Sequence, residues 1–240
     1  MKYISKSECP EELKTYLAEN PDATWDDFGN EAQKAHEIVQ NTIKRDQLGI
    51  CCYCEIDFHV SDEAHIKDFR VEHFYPKKQT PLPSGENAHL TWSNLLGCCH
   101  GGTQRNYTDD ERFTSRENRH CDADKGEKDW TNIILNPLNI PEDVKIFTFQ
   151  SDGKIIVSDH CPDEFKILAQ NTIEKLNLNE ESYLKRARAV VREALKEKIS
   201  EFVISGLALE EAINTLSQAM FSGTQENLKF YSCKLDLLSI

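Results

Sequence analysis

No apolar run in this 240-residue chain approaches the roughly 20 residues needed to cross a bilayer. The first residues, Met1-Lys2-Tyr3-Ile4-Ser5, lack the apolar core of a secretory signal. Internal repeats and low-complexity tracts are missing too. Basic charge is scarce: 28 Lys/Arg stand against 41 Asp/Glu, a net charge of -13, whereas phosphate contacts usually need a basic surface. The deficit is uneven. From Lys67 to Lys128 ten basic residues meet ten acidic ones, so the other 18 basic and 31 acidic residues carry the whole imbalance. If some acids of the neutral stretch hold metal, a locally positive site remains. Modest nucleic-acid affinity is then expected for the chain alone, with a partner supplying much of the grip.

What is present is a soluble globular composition, 39% hydrophobic and 29% charged. There are nine cysteines, and six of them fall between Cys51 and Cys121. Clustered Cys-x-x-Cys spacing in a chain without a secretory signal argues for metal and a reducing cytoplasm rather than for disulfides.

Residues 1–49 read as a helical segment suited to partner docking. Pro10-Glu11 opens a short helix, Asn20-Pro21-Asp22 turns, and Ala32, Ala35, Ile38, Val39 and Ile43 repeat at helical spacing up to Gly49. Residues 50–130 are turn-rich and hold every chemical motif. Residues 131–160 are a connection containing a hairpin, with Val144–Phe149 and Lys154–Val157 joined at Asp152-Gly153. Residues 161–240 form a helical bundle in which Asn179 is the expected N-cap of a long helix. The charges along that helix (Lys185, Arg186, Arg188, Arg192, Glu193, Lys196, Glu197) read as a solvated face, with a docking or nucleic-acid surface as the alternative.

Two cysteine sites bracket the sequence Val71-Glu72-His73-Phe74-Tyr75-Pro76. Zinc takes four soft ligands in a tetrahedron, often as two close pairs. Cys51, Cys54, Cys99 and Cys121 are the expected ligands, with Cys52, Cys98 or His100 as substitutes; Cys9, Cys161 and Cys233 have no partner spacing. Four protein ligands leave no open position, so this zinc is structural. Phosphodiester cleavage needs a base and a second cation. His73 suits the base, because an imidazole with a pKa of about 6.5 is largely neutral near pH 7. Glu72 and Asp122 are hard oxygen donors of the kind Mg²⁺ or Mn²⁺ prefers. Asn94 is placed to orient the loop carrying His73, and Lys125 to contact a phosphate. Plain alternatives stand beside these: a turn residue for Asn94, a helix N-cap for Asp122, a solvated side chain for Lys125. Adjacent strand residues point to opposite faces, so Glu72 and His73 share a site only if the strand twists or ends there, which Pro76 permits. Convergence of the four sulfurs is expected to bring the imidazole of His73 and the carboxylate of Asp122 face to face.

Ordered this way, residues 51–127 resemble the HNH endonucleases. The resemblance implies a ββα-metal core in which His73 is general base, Asn94-Leu95 is the mid-motif pair, Asp122 is a metal ligand, and Lys125-Gly126 trails. Cys51-Cys52-Tyr53-Cys54-Glu55, Val71–Lys77, Trp92–Leu96, Cys99–Gly102, Asn171–Ile173 and Leu176–Asn179 are together similar to the HNH subunits (PtuB) of the Septu anti-phage systems. That likeness covers nearly the whole chain. It implies a bacterial cytoplasmic protein with an ABC/SMC-like ATPase partner (PtuA), sometimes alongside a retron reverse transcriptase and its RNA–DNA hybrid. Two departures stand out. Residues 100–120, with Arg105, Arg112, Arg116 and Arg119, separate the second cysteine pair, either as a substrate loop or as a mobile linker. Asp122 also replaces the usual His or Asn.

The expected protein is therefore α+β and mostly helical, with a zinc-stapled HNH core between N-terminal helices and a C-terminal bundle. Its expected activity is metal-dependent endonucleolytic hydrolysis of nucleic acid, DNA before RNA, in anti-phage defence. The rivals are an effector that cuts RNA such as tRNA, and a non-catalytic zinc-stapled binding module.

Overall fold

In a computed structural model, which describes residues 1–61, 66–106, 111–221 and 228–239, helices and small sheets are mixed. The N-terminal helices are α1 (Glu11–Glu19), α2 (Trp25–Glu31) and α3 (Gln33–Asp46). Thr24 and Asp27 start α2 with a reciprocal capping box, which satisfies two otherwise orphaned amides. Three two-stranded antiparallel sheets follow: β1 (His59–Ser61) with β2 (Ile66–Lys67), β3 (Arg70–His73) with β4 (Leu95–Cys98), and β5 (Phe147–Phe149) with β6 (Ile155–Val157). The short helix α4 (Asp122–Lys125) follows β4 in the chain, and α5 (Asp163–Lys175), α6 (Leu184–Ile204), α7 (Leu209–Phe221) and α8 (Tyr231–Leu238) complete the fold. No helix among the described residues is long and apolar enough to cross a membrane.

The sheet of β3 and β4 is a partition between two apolar clusters. Residues directly opposite in an antiparallel pair share a face, and here Val71 faces Gly97, Glu72 faces Leu96, and His73 faces Leu95. Leu95 packs with Trp25, Phe28, Val39 and Ile43 of the N-terminal helices. Leu96 packs instead with Tyr53, the cysteines and the large central core that includes Phe147 and Leu176. Both leucines are fully buried, which removes any freedom to slip the register, because a one-residue slip would exchange the two faces. Gln47, just past α3, fixes the height of β4: its amide donates to Gly97 O at 2.8 Å and accepts from Gly97 N at 2.6 Å. A Cβ at Gly97 would come within 3.0 Å of that Gln47 amide and 2.9 Å of Phe69, so only glycine lets α3 approach.

Two expectations for the C-terminal bundle are corrected. Asn179 does not cap α6. Its side chain pairs with both backbone groups of Ile155 on β6, and the carboxylate of Glu180 accepts from the amides of Ser182, Tyr183 and Leu184 instead. The longer side chain reaches back over the turn that the shorter amide leaves. Nor is the charged stripe of α6 wholly solvated. Arg188, 2% exposed, donates to Gly153 O and Leu178 O, and Arg192 donates to Cys233 O and Asp236. Long-range carbonyls buried beside each guanidinium draw it inward.

The first cysteine pair reaches into this architecture through its neighbour. Glu55, in a left-handed conformation at φ 62°, follows the first cysteine pair directly. Its carboxylate accepts from the backbone and hydroxyl of Ser232 at the start of α8, and its carbonyl accepts from Phe230 N.

Candidate metal centre and active site

The sulfurs of Cys51, Cys54, Cys99 and Cys121 all lie within 4.8 Å of one another, and all four residues are buried. Cys54 and Cys99 are 3.7 Å apart, Cys51 and Cys121 3.9 Å. A disulfide needs about 2.05 Å, whereas sulfurs about 2.3 Å from a tetrahedral zinc sit about 3.8 Å apart. The donor set and its spacing therefore fit one zinc ion. A tight knuckle holds the first pair: Cys51 N donates to Ile56 O, Glu55 N to Cys51 O, and Cys52 N to Gly97 O on β4. Cys121, at φ 56°, is held by a bond from its amide to Leu176 O at the end of α5. Burial alone would raise the Cys51 thiol, but its hydrogen bonds with Cys121, Cys52, Cys54 and Cys98 take it well below its ordinary value.

Of the possible substitutes, Cys98 is 3.7 Å from Cys51 and forms a second sulfur group with Cys51 and Cys52. His100 turns its Nδ1 toward Asp68 Oδ1 at 3.1 Å. His120 was missed at the sequence level; its Nδ1 lies 3.2 Å from Cys121 Sγ. Its position beside a ligand was the available signal.

His73 is the last residue of β3, and its imidazole lies on the N-terminal-helix face. Trp25 meets it edge-on at 5.7 Å between ring centroids, and the His89 ring lies 6.1 Å away. His73 Nε2 is 3.1 Å from His89 O. A carbonyl only accepts, so Nε2 carries the proton and the Nδ1 lone pair is left to act as base. Burial, aided by Lys77, the His89 ring and Lys125, lowers this imidazole to about 3 against the pull of the His89 carbonyl; it is neutral at any physiological pH. Asn94 closes the loop: its amide accepts from Tyr75 N at 2.7 Å and donates to Tyr75 O at 3.0 Å and Ala88 O at 2.7 Å. These bonds clamp the chain after His73 to the chain before Asn94.

No protein-family profile matches the chain. A protein of Escherichia coli named "Retron Ec83 putative HNH endonuclease" is 35% identical to it over 259 aligned positions, covering 99% of this chain and 93% of that protein. The chain belongs to the HNH endonucleases. It is thus a nuclease, and a non-catalytic binding module is set aside.

In this HNH endonuclease the carboxylates lie on the other face of β3. Glu72, two residues from Arg70 and so on the same side of the strand, accepts from Tyr53 Oη at 3.2 Å and Lys125 Nζ at 2.7 Å. Asp122, the first residue of α4, pairs with Arg70 and lies 3.5 Å from Cys98 Sγ. Burial, then Cys98 and Glu72, push the Asp122 carboxyl well above its usual range, with Arg70 opposing. The imidazole of His73 and the carboxylate of Asp122 thus do not meet face to face as expected. Pairing continues regularly through His73, so the alternation of faces is kept to the end of the strand.

Lys125 is also corrected as a phosphate contact. It is 1% exposed and spends its ammonium on Glu72 and on His73 O, the latter at 2.9 Å. It is a strut beneath the strand. In the 100–120 insertion, residues 107–110 lie outside the described residues; Arg112 is buried against Asp57 and Asp68, which removes it from any substrate surface. Tyr53, Arg70, Trp25 and His89 escaped sequence reasoning. Strand parity with Glu72 pointed to Arg70, and position inside the Cys-x-x-Cys knuckle pointed to Tyr53.

Proposed function

We propose that this endonuclease hydrolyses DNA phosphodiesters with His73 as general base and a hard divalent ion, Mg²⁺ or Mn²⁺, held by Glu72 and Asp122. The observation that carries the reading is the buried, neutral imidazole whose Nε2 is committed to a carbonyl, leaving Nδ1 to take a proton from water. The buried Glu72 and the half-buried Asp122, in electrostatic contact, are a donor set suited to such an ion. When bound, the ion would supply positive charge for the developing phosphorane and leaving oxygen. Asp122 would then exchange Arg70 for it, while Lys125 keeps Glu72 in place. Base and carboxylates lie on opposite faces of β3, so the phosphate belongs just past the end of the strand, where both faces are within reach. The zinc-stapled knuckle, β3, β4 and α4 make up the ββα-metal core in this reading, and the flanking helices are additions to it.

The biological setting follows from the relative's name and from charge. A retron-named homologue and a net charge of -13 suit a subunit of an anti-phage complex of the Septu kind. In such a complex an ATPase partner, with or without a retron reverse transcriptase and its RNA–DNA hybrid, supplies the basic grip that this chain lacks. The test is to incubate the full chain, with Mg²⁺ or Mn²⁺, with supercoiled plasmid and separately with total RNA. Plasmid is expected to be nicked or linearised, and His73→Ala to abolish this at unchanged zinc content and melting temperature. Cleavage by the His73→Ala protein removes His73 as base; cleavage of RNA alone transfers the reading to an RNA-cutting effector.

A further inference from the structure

With Lys125 enclosed beneath β3 and Arg70 on the carboxylate face, the imidazole face needs its own means of holding a substrate phosphate. We propose that His89 and Lys77 form a phosphate clamp there, holding the scissile phosphodiester against His73. This rests on the reading of His73 as base, and assigns the phosphate contact to residues that no resemblance or relative supplies.

The donor geometry is set by Trp25. Its backbone amide points at His89 Nδ1 at 3.3 Å. Nδ1 therefore accepts, and the proton of His89 resides on Nε2, giving a neutral donor that needs no protonation to bind an anion. The His73 and His89 rings stand 6.1 Å apart between centroids, so an anion taken by the Nε2–H of His89 would lie beside the imidazole whose free Nδ1 serves as base. His89 also borders a groove of about 850 Å³ whose walls include Thr24, Thr80, Asn87 and Trp92. Lys77 supplies the charge. It lies four residues past His73, directly after Pro76, and among the described residues only a long contact of 3.8 Å to the exposed Asp26 engages its ammonium. Asp26 follows Trp25, whose ring packs on His73, and this contact places Lys77 on the imidazole side of the strand. A phosphate arriving there would take the ammonium from Asp26, a weakly held surface partner. Lys78, by contrast, pairs with Glu127.

The experiment compares full-length Lys77→Ala, His89→Ala, His89→Gln and Lys78→Ala. Plasmid cleavage gives KM and kcat. Anisotropy of a fluorescein-labelled DNA duplex on the His73→Ala background gives affinity against salt. Lys77→Ala should weaken duplex binding several-fold and flatten the logarithmic salt slope by about 1. His89→Ala should lower kcat/KM by about tenfold, the size expected of one lost hydrogen bond to a charged group, without altering the salt slope. It keeps the backbone carbonyl that orients His73. His89→Gln, which retains an N–H donor, should recover part of the loss, and Lys78→Ala should match the wild type. Unchanged zinc content and melting temperature in each variant would exclude a folding defect. A cutting wild type whose Lys77→Ala and His89→Ala forms share its KM, kcat and salt slope overturns the clamp alone. A wild type that neither binds nor cuts plasmid or RNA overturns the clamp together with the base assignment on which it rests.

Discussion

Replacing Lys125 with alanine separates two roles that its motif position leaves open. A lysine that touches substrate phosphate from the surface would lose binding and little stability, because exposed ion pairs contribute about 0–1 kcal/mol. Here the side chain is 1% exposed and its partner Glu72 is 5% exposed. Removing the ammonium leaves a buried carboxylate whose one other partner among the described residues is Tyr53 Oη, and takes from His73 O its bond to Lys125. Breaking a buried pair in this way costs about 3–5 kcal/mol. For a chain of this length each kcal/mol moves Tm by about 2–4 °C, so the midpoint should fall by roughly 6–20 °C. Urea denaturation of zinc-loaded wild type, Lys125→Ala, Glu72→Gln and the double variant gives the coupling directly. The double variant should be more stable than the sum of the single losses implies, since neither charge then remains stranded. An unchanged midpoint in Lys125→Ala would refute the strut and restore Lys125 to the surface.

Three further outcomes are expected. Removing zinc with a chelator, or Cys121→Ser, should unfold the central region as well as stop cleavage, because structural zinc contributes about 10–16 kcal/mol against a typical domain stability of about 5–15 kcal/mol; near-ultraviolet circular dichroism during chelation reads this. Asn94→Ala deletes three side-chain hydrogen bonds across the catalytic loop. It should cost about 2–4 kcal/mol in denaturation and lower kcat more than KM. Burial alone would raise Asp236, yet hydrogen bonds from Lys145, Thr148 and the Phe149 amide bring its pKa below the ordinary value. The stability it lends is thus complete above about pH 4 and lost as pH falls through the lower folded value. Melting curves from pH 6 to pH 3 should drop more steeply for the wild type than for Asp236→Asn.

The elements that sequence reading reached are those with local causes. Helical spacing located the N-terminal helices and the bundle, Asp152-Gly153 located the hairpin, and cysteine spacing gathered four sulfurs that are in fact close together. The errors share one origin in partners distant along the chain. Arg188 and Arg192 look solvated until Gly153 and Cys233 arrive beside them. Lys125 looks exposed until Glu72, 53 residues earlier, is folded over it. Asn179 has the right chemistry for a cap, and only the neighbouring β6 strand draws it elsewhere. The separation of His73 from Asp122 followed from strand alternation, a rule legible in advance; what the sequence could not supply was the regular pairing of His73 with Leu95 that enforces it.

Glu55 makes the metal knuckle and the last helix mechanically dependent on each other. With its backbone held beside Cys54 and its carboxylate gripping Ser232 across 177 positions of chain, any loosening of the cysteine knuckle slackens the latch on α8. An event that lifts α8 would tug, in turn, on the loop that carries two of the four sulfurs. A macromolecule seated on that distant helix would therefore have a short, stiff lever on the nuclease centre.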